Sequence, residues 1–154
     1  MEYDPNNIVP TYRVAYLDWD DTLLYEDAVA QGTKPIDPVA LGLIQAPVRE
    51  ADEEFTYVYS GWEKTINNIV TYSIEIHATY ASTLREYTVN WYMVRNGMRL
   101  YTAKVNYGKE AVYDEATLGI PQRPQENGIY YLFKQWDINT GFITKYTNVY
   151  AVWE

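Results

Sequence analysis

The sequence contains no cysteine and only one histidine, His77. Without cysteine there is no disulfide, no thiolate-bound zinc and no thiol nucleophile. One imidazole leaves little for a histidine metal site, and it has no Ser-Gly elbow beside it for a serine hydrolase. His77 alternates with Ile76 and Ala78, so it reads as an outward-facing strand residue. Basic residues are scarce: 12 Lys and Arg stand against 21 Asp and Glu, a net charge of −9 that argues against general nucleic-acid binding. No run approaches the roughly 20 apolar residues of a membrane span. Met1–Asn7 has neither the basic start nor the apolar run of a secretory signal, so the expectation is a protein made and kept in a cytoplasm until something assembles it.

What is plentiful is aromatic. Phe, Tyr and Trp make up 16% of the chain, with 17 Tyr and 5 Trp, and such rings suit a half-buried sheet with the ring packed and the polar tip wet. Hydrophobic residues at 47% supply packed cores. One aromatic stretch occurs twice, as Tyr57-Val58-Tyr59-Ser60-Gly61-Trp62 and as Tyr131-Leu132-Phe133-Lys134-Gln135-Trp136. Each alternates rings with other residues, as a strand burying one face does. Each is followed by a closing strand, Ile76–Tyr80 and Val149–Trp153. The expectation is that these stretches form the central strand of each module, with Trp62 and Trp136 as core anchors.

Taken in order, residues 1–11 form an arm in which Tyr3, Ile8 and Val9 are candidate partner contacts. Tyr12 opens a first unit at residues 12–80, with a hairpin turn at Asp20-Asp21-Thr22 and a return strand from Leu23 to Ala30. Asp37-Pro38 with Gly42 predicts one capped helical turn. Residues 81–86 are a short linker, and residues 87–154 repeat the order. Tyr87-Thr88-Val89-Asn90-Trp91 matches Tyr12–Tyr16 at an offset of 75, with Asn96-Gly97 at the turn. Gly108 matches Gly32 at 76, Asp114 matches Asp37 at 77 and Trp136 matches Trp62 at 74. Offsets this constant over a whole unit mark a tandem duplication. The copies differ in charge: residues 12–80 hold 12 acidic and 4 basic side chains, net −8, and residues 81–154 hold 7 and 8, net +1. The acidic run Glu50, Asp52, Glu53 and Glu54 is a candidate partner surface on the first copy.

These pieces resemble the internalin B-type, or Listeria–Bacteroides, repeat. The matching residues are Tyr87-Thr88-Val89, Asn106-Tyr107-Gly108, Phe133 to Trp136 and Tyr150-Ala151-Val152-Trp153-Glu154, with Tyr12 to Asp21, Tyr59-Ser60-Gly61-Trp62 and Ala78-Thr79-Tyr80 in the first copy. The second copy has Gln135 where the pattern has glycine, and the first ends in Tyr80 where tryptophan is usual. The resemblance implies a mainly β, α+β fold of two tandem β-grasp-like modules, each with two hairpins and a short helical or Pro-containing crossover. It also implies a spacer or adhesion role, as in bacterial surface proteins and phage structural proteins. With its own Met and two repeats, the chain is expected to be a virion component present in many copies and bound to capsid or tail proteins. The alternative is a bacterial surface module binding glycan or protein.

One chemical motif competes. Asp18-Trp19-Asp20-Asp21-Thr22 fits the Asp-x-Asp-x-Thr signature of haloacid-dehalogenase-like phosphatases, in which Asp18 would be the nucleophile and Asp20 the acid/base around magnesium. The βα units such a fold needs are missing after Leu24, and the second copy has a plain turn, Met93-Val94-Arg95-Asn96-Gly97, at this place. Asp18, Asp20 and Asp21 also offer hard oxygen ligands, without EF-hand spacing. The reading is therefore a protein without catalytic residues or cofactor, with those three aspartates as metal candidates only.

Overall fold

The computed structural model describes residues 8–154. They fall into two compact units: residues up to Glu50 together with Tyr57–Ser82, and Ala51–Thr56 together with Thr83–Glu154. Tyr3 of the arm lies outside the described residues.

In the first sheet, β1 (Thr11–Leu17) and β2 (Leu23–Ala30) form an antiparallel hairpin. The turn between them needs a left-handed residue, and Asp21 supplies it at φ 69°. β3 (Phe55–Trp62) and β4 (Ile74–Leu84) complete the sheet in the order β2-β1-β4-β3. The two middle strands run parallel, with Val14 opposite Ile74 and Leu17 opposite His77. A parallel pair needs a long crossover. Part of that crossover is the turn at Asp37, whose carboxylate accepts from the amides of Val39 and Ala40 and so caps them. Gly42, at φ 74°, ends a hydrogen-bonded turn, in which the Leu41 amide donates to the Asp37 carbonyl, at the place where the sequence implies one helical turn.

The core of this unit is Val14, Tyr16, Val29, Trp62, Val70, Ile76 and Ala78. Tyr16 is fully buried and donates its hydroxyl to the Ile36 carbonyl at 2.6 Å. Burial, helped by Asp27 and Asp37, pushes that hydroxyl up to about 12. Trp62 meets Tyr16 edge-on at 5.2 Å and donates its indole N–H to the capping Asp37 at 3.0 Å. One carboxylate thus holds both the crossover and the tryptophan.

The second sheet has the same plan: β5 (Glu86–Tyr92), β6 (Arg99–Asn106), β7 (Phe133–Trp136) and β8 (Thr147–Trp153), in the order β6-β5-β8-β7. Its middle pair, β5 and β8, is again parallel. The crossover carries a one-turn helix α1 (Glu115–Leu118), capped by Asp114 and stopped by Gly119. The duplication extends to irregularities. The first hairpin shifts register between Tyr16 and Leu17 and the second between Trp91 and Tyr92, 75 residues on, while Asp21 and Asn96 hold matching positive φ. Gly32 donates to Val70 and Gly108 to Ile143 at equivalent places. Two mainly β, β-grasp-like modules therefore form, as expected.

Three expectations need correction. The stretches at Tyr57–Trp62 and Tyr131–Trp136 are edge strands, because the parallel pairs occupy the middle of each sheet. Val58, 69% exposed, fits an edge, and the fully buried Ile76 belongs to a centre. β7 starts only at Phe133. Finally, residues 81–84, expected as connector, extend β4, and Arg85 alone separates it from β5.

The bends that seat the two tryptophans differ. Along β3, Phe55, Tyr57 and Tyr59 alternate inward, and strict alternation would leave Trp62 on the exposed face with Val58 and Ser60. Gly61, at φ 127°, breaks the alternation and turns Trp62 into the core. The second copy has Gln135 at that place and instead shifts register between Phe133 and Gln135. Gly61→Ala is expected to lower stability by about 1–3 kcal/mol through backbone strain alone, since a Cβ there would meet nothing within 4 Å. Urea denaturation of the two proteins checks this.

Candidate functional site

The aspartates of the tempting motif sit on the β1–β2 turn, and the fold uses each one locally. Asp18 accepts the Tyr80 hydroxyl at 2.6 Å and the Trp19 amide at 2.8 Å. Asp20 accepts the Thr22 amide at 3.2 Å, and its hydrogen bonds to Thr22 lower its pKa. Asp21 meets His77 Nε2 at 2.6 Å. The three carboxylates thus face different partners, and among the described residues no group of three or more His, Cys, Asp or Glu is placed to hold a metal ion.

Comparison of the two copies explains Asp18. Tyr80 and Trp153 close their modules at equivalent positions. Tyr80 donates to the Asp18 side chain, and Trp153 donates its indole N–H to the carbonyl of Met93, the counterpart of Asp18, at 2.8 Å. The phenol falls short of where an indole reaches, and a carboxylate on the turn meets it. Burial, then the hydrogen bond to Asp18, raises the pKa of Tyr80, which keeps the hydroxyl a donor.

His77 is more engaged than an outward-facing strand residue. It lies opposite the buried Ile76 and Ala78, as alternation requires, but its ring bridges Asp21 and Glu63, the latter 3.4 Å from Nδ1. Its backbone amide also donates to Glu63 Oε2 at 3.0 Å. The hydrogen bond to Asp21, with Glu63 adding to it, raises the His77 pKa. No local sequence signal reveals this clamp, because Asp21, Glu63 and His77 come from three separate elements.

The other predicted residues lie elsewhere. Ile8 and Val9 are exposed. Glu50, Asp52, Glu53 and Glu54 are all exposed, but the stretch is not a loose loop. Asp52 accepts the amides of Glu54 and Phe55, the Arg85 guanidinium donates to the Asp52 carbonyl at 2.6 Å, and the Tyr87 hydroxyl donates to the carbonyl of Glu53.

Two features escape the motif reading. Arg49 lies over two rings, Trp19 at 4.1 Å and Tyr57 at 3.8 Å. Arg123 stacks on Tyr131, also at 3.8 Å, and lines a cleft of about 530 Å³ with Ile120, Pro121, Gln122, Leu132 and Phe133. Both arginines lie 74 residues apart, as do both tyrosines, so the repeat offset was the available signal. A smaller hollow of about 130 Å³ lies by Ile69 and Tyr72 in the first module.

No family model matches the sequence, and no curated protein matches it. Among solved structures the chain is similar to the Streptococcal High Identity Repeats in Tandem (SHIRT) domains 3-4 from a cell surface protein. Identity is 14%, the match covers 94% of this chain and 98% of that chain, and the TM-score is 0.39. A likeness of that size decides neither family nor function.

Tyr80→Phe is expected to cost about 1–2 kcal/mol, toward the lower part of the range for a hydrogen bond to a charged acceptor because the pair is only part-buried. Asp18→Asn, which keeps an acceptor, should cost less, and chemical denaturation of both variants checks the order. For His77 the folded pKa is raised, so its contribution is fully present below the unfolded value near 6.5 and is lost as pH rises through the folded pKa. Stability measured upward from pH 6 should therefore fall, and His77→Gln should remove that part of the slope. As the chain's single histidine, its imidazole NMR signals report the midpoint directly.

Proposed function

We propose that this chain is a non-enzymatic interaction protein in which two β-grasp-like modules present sheet edges and crossover loops to other proteins. The observation that carries this reading is how the fold spends its chemically capable side chains. Asp18 is spent on Tyr80, Asp20 on its own turn and Asp21 on His77, so the residues a phosphatase would need serve as stitching. Large apolar side chains stand outward on the crossovers instead, including Val48 at 84%, Leu132 at 70% and Ile120 at 63% exposure. β2, β3, β6 and β7 are sheet edges, whose unpaired backbone groups can accept a partner strand.

Kinship with internalin B-type repeats remains our proposal, supported by the order of motifs and the β-grasp-like strand order and by no family match. The setting expected from the sequence, a phage particle, gains nothing from the comparisons. Display on a bacterial surface is the setting we carry forward beside it, and both use the same edges, loops and acidic run.

The tagged full chain, presented to particle preparations and to cell-envelope fractions, is expected to retain a protein partner from one of them, and the fraction that yields it sets the location. Capture from neither, together with turnover of a generic phosphate ester that Asp18→Asn abolishes, would overturn the proposal in favour of magnesium-dependent phosphatase chemistry.

A further inference from the structure

The duplication lets one module serve as a template for the other. In the first, the Arg49 guanidinium lies over two rings, Tyr57 from β3 and Trp19 from the β1–β2 turn. In the second, Arg123 and Tyr131 reproduce the Arg49–Tyr57 pair at the same 3.8 Å. The counterpart of Trp19 can be read without ambiguity. The hairpin register shifts and the positive-φ turn residues Asp21 and Asn96 match at an offset of 75, which puts Val94 at the Trp19 position. Valine has no ring. Among the described residues Tyr131 is the one ring stacked on Arg123, and the guanidinium lines the cleft with Ile120, Pro121, Leu132 and Phe133.

We propose that this cleft receives an aromatic side chain of a protein partner, a tryptophan carried on a turn with acidic neighbours, stacked on Arg123 as Trp19 is stacked on Arg49. This deepens the interaction role and rests on it. The cleft, at about 530 Å³, falls inside the roughly 300–1,000 Å³ usual for binding pockets. Its lining sets Ile120, Pro121, Leu132 and Phe133 beside Gln122 and the cationic Arg123, and an indole, with a π-face for the cation and an N–H to donate, suits that mixture. Acidic neighbours follow from the template, because Trp19 stands between Asp18 and Asp20. They also follow from charge, since Arg123 has Glu126 only at 3.4 Å and residues 81–154 are net +1. A sugar is the poorer occupant. Sugars stack on a bare ring face, and one face of Tyr131 is already taken by Arg123.

The probe is a cyclised peptide of residues 16–25, Tyr-Leu-Asp-Trp-Asp-Asp-Thr-Leu-Leu-Tyr, titrated into the full chain and followed by NMR. The expected result is chemical-shift change centred on Arg123, Tyr131 and Ile120, with affinity falling at least tenfold when the peptide's Trp is replaced by Ala. Arg123→Lys, which keeps the charge and loses the planar face, should weaken binding comparably. Val94→Trp, which returns a ring to the Trp19 position, should raise the melting temperature and abolish peptide binding. Equal binding by the Ala peptide, unchanged binding by Arg123→Lys, shifts confined to other surfaces, or displacement of the peptide by an oligosaccharide would each overturn the site. Because the Ala peptide leaves the protein untouched, a folding defect in a variant cannot hide the answer. A partner captured equally well by wild type and Arg123→Lys would leave the interaction role standing and remove only this site.

Discussion

Each module depends on a parallel pairing of two strands that lie far apart in the chain, Val14 to Leu17 beside Ile74 to His77 and Val89 to Tyr92 beside Thr147 to Tyr150. Hairpins join neighbours in sequence, whereas each of these pairs spans the whole crossover and the edge strand. The most deeply buried residues therefore cluster on them: Val14, Tyr16 and Ile76 in one module, Val89, Trp91 and Val149 in the other. Everything else flanks that pair. The outer strands complete the sheet, the crossovers cover one face, and the two edge tryptophans reach inward only where the backbone bends to let them.

The two copies also show how a duplicated fold drifts while keeping its joints. The closing aromatic must find an acceptor on the first hairpin turn; an indole takes a backbone carbonyl there and a phenol takes a carboxylate. The edge strand must bend before its tryptophan, by a glycine at positive φ in one copy and by a register shift in the other. Such paired solutions make Asp18 intelligible. Its presence beside Asp20 looks like chemistry when one copy is read alone and like carpentry when both are read together.

Much of the fold was legible in the sequence because its signals are local. Alternating rings mark strands, Asn96-Gly97 and Asp20-Asp21-Thr22 mark turns, and Asp37-Pro38 and Asp114 mark caps, each fixed by the conformational preferences of a few residues. Which strand lies beside which is not local, and it leaves no mark in the sequence pattern. Tyr57–Trp62 carries a strong strand pattern, yet nothing in its period says edge or centre. The sequence shows His77 as an outward-facing strand residue but not its bonds, because its partners come from a turn and a strand end far off in sequence. The acidic run at Glu50–Glu54 was legible as charge but not as structure, since the backbone carbonyls that Arg85 and Tyr87 engage leave no trace in side-chain identity.

The parallel central pair has a mechanical consequence. In each module the first strand and the last strand lie side by side and point the same way. Tension applied through the chain pulls the first strand by its leading end and the last by its trailing end. Those pulls act along the ladder in opposite directions, so its hydrogen bonds resist together in shear and do not open one after another from an end. A module wired in this way suits a place where chain ends bear load, and its hairpins, which would unzip if they were gripped at their tips, are sheltered from the force.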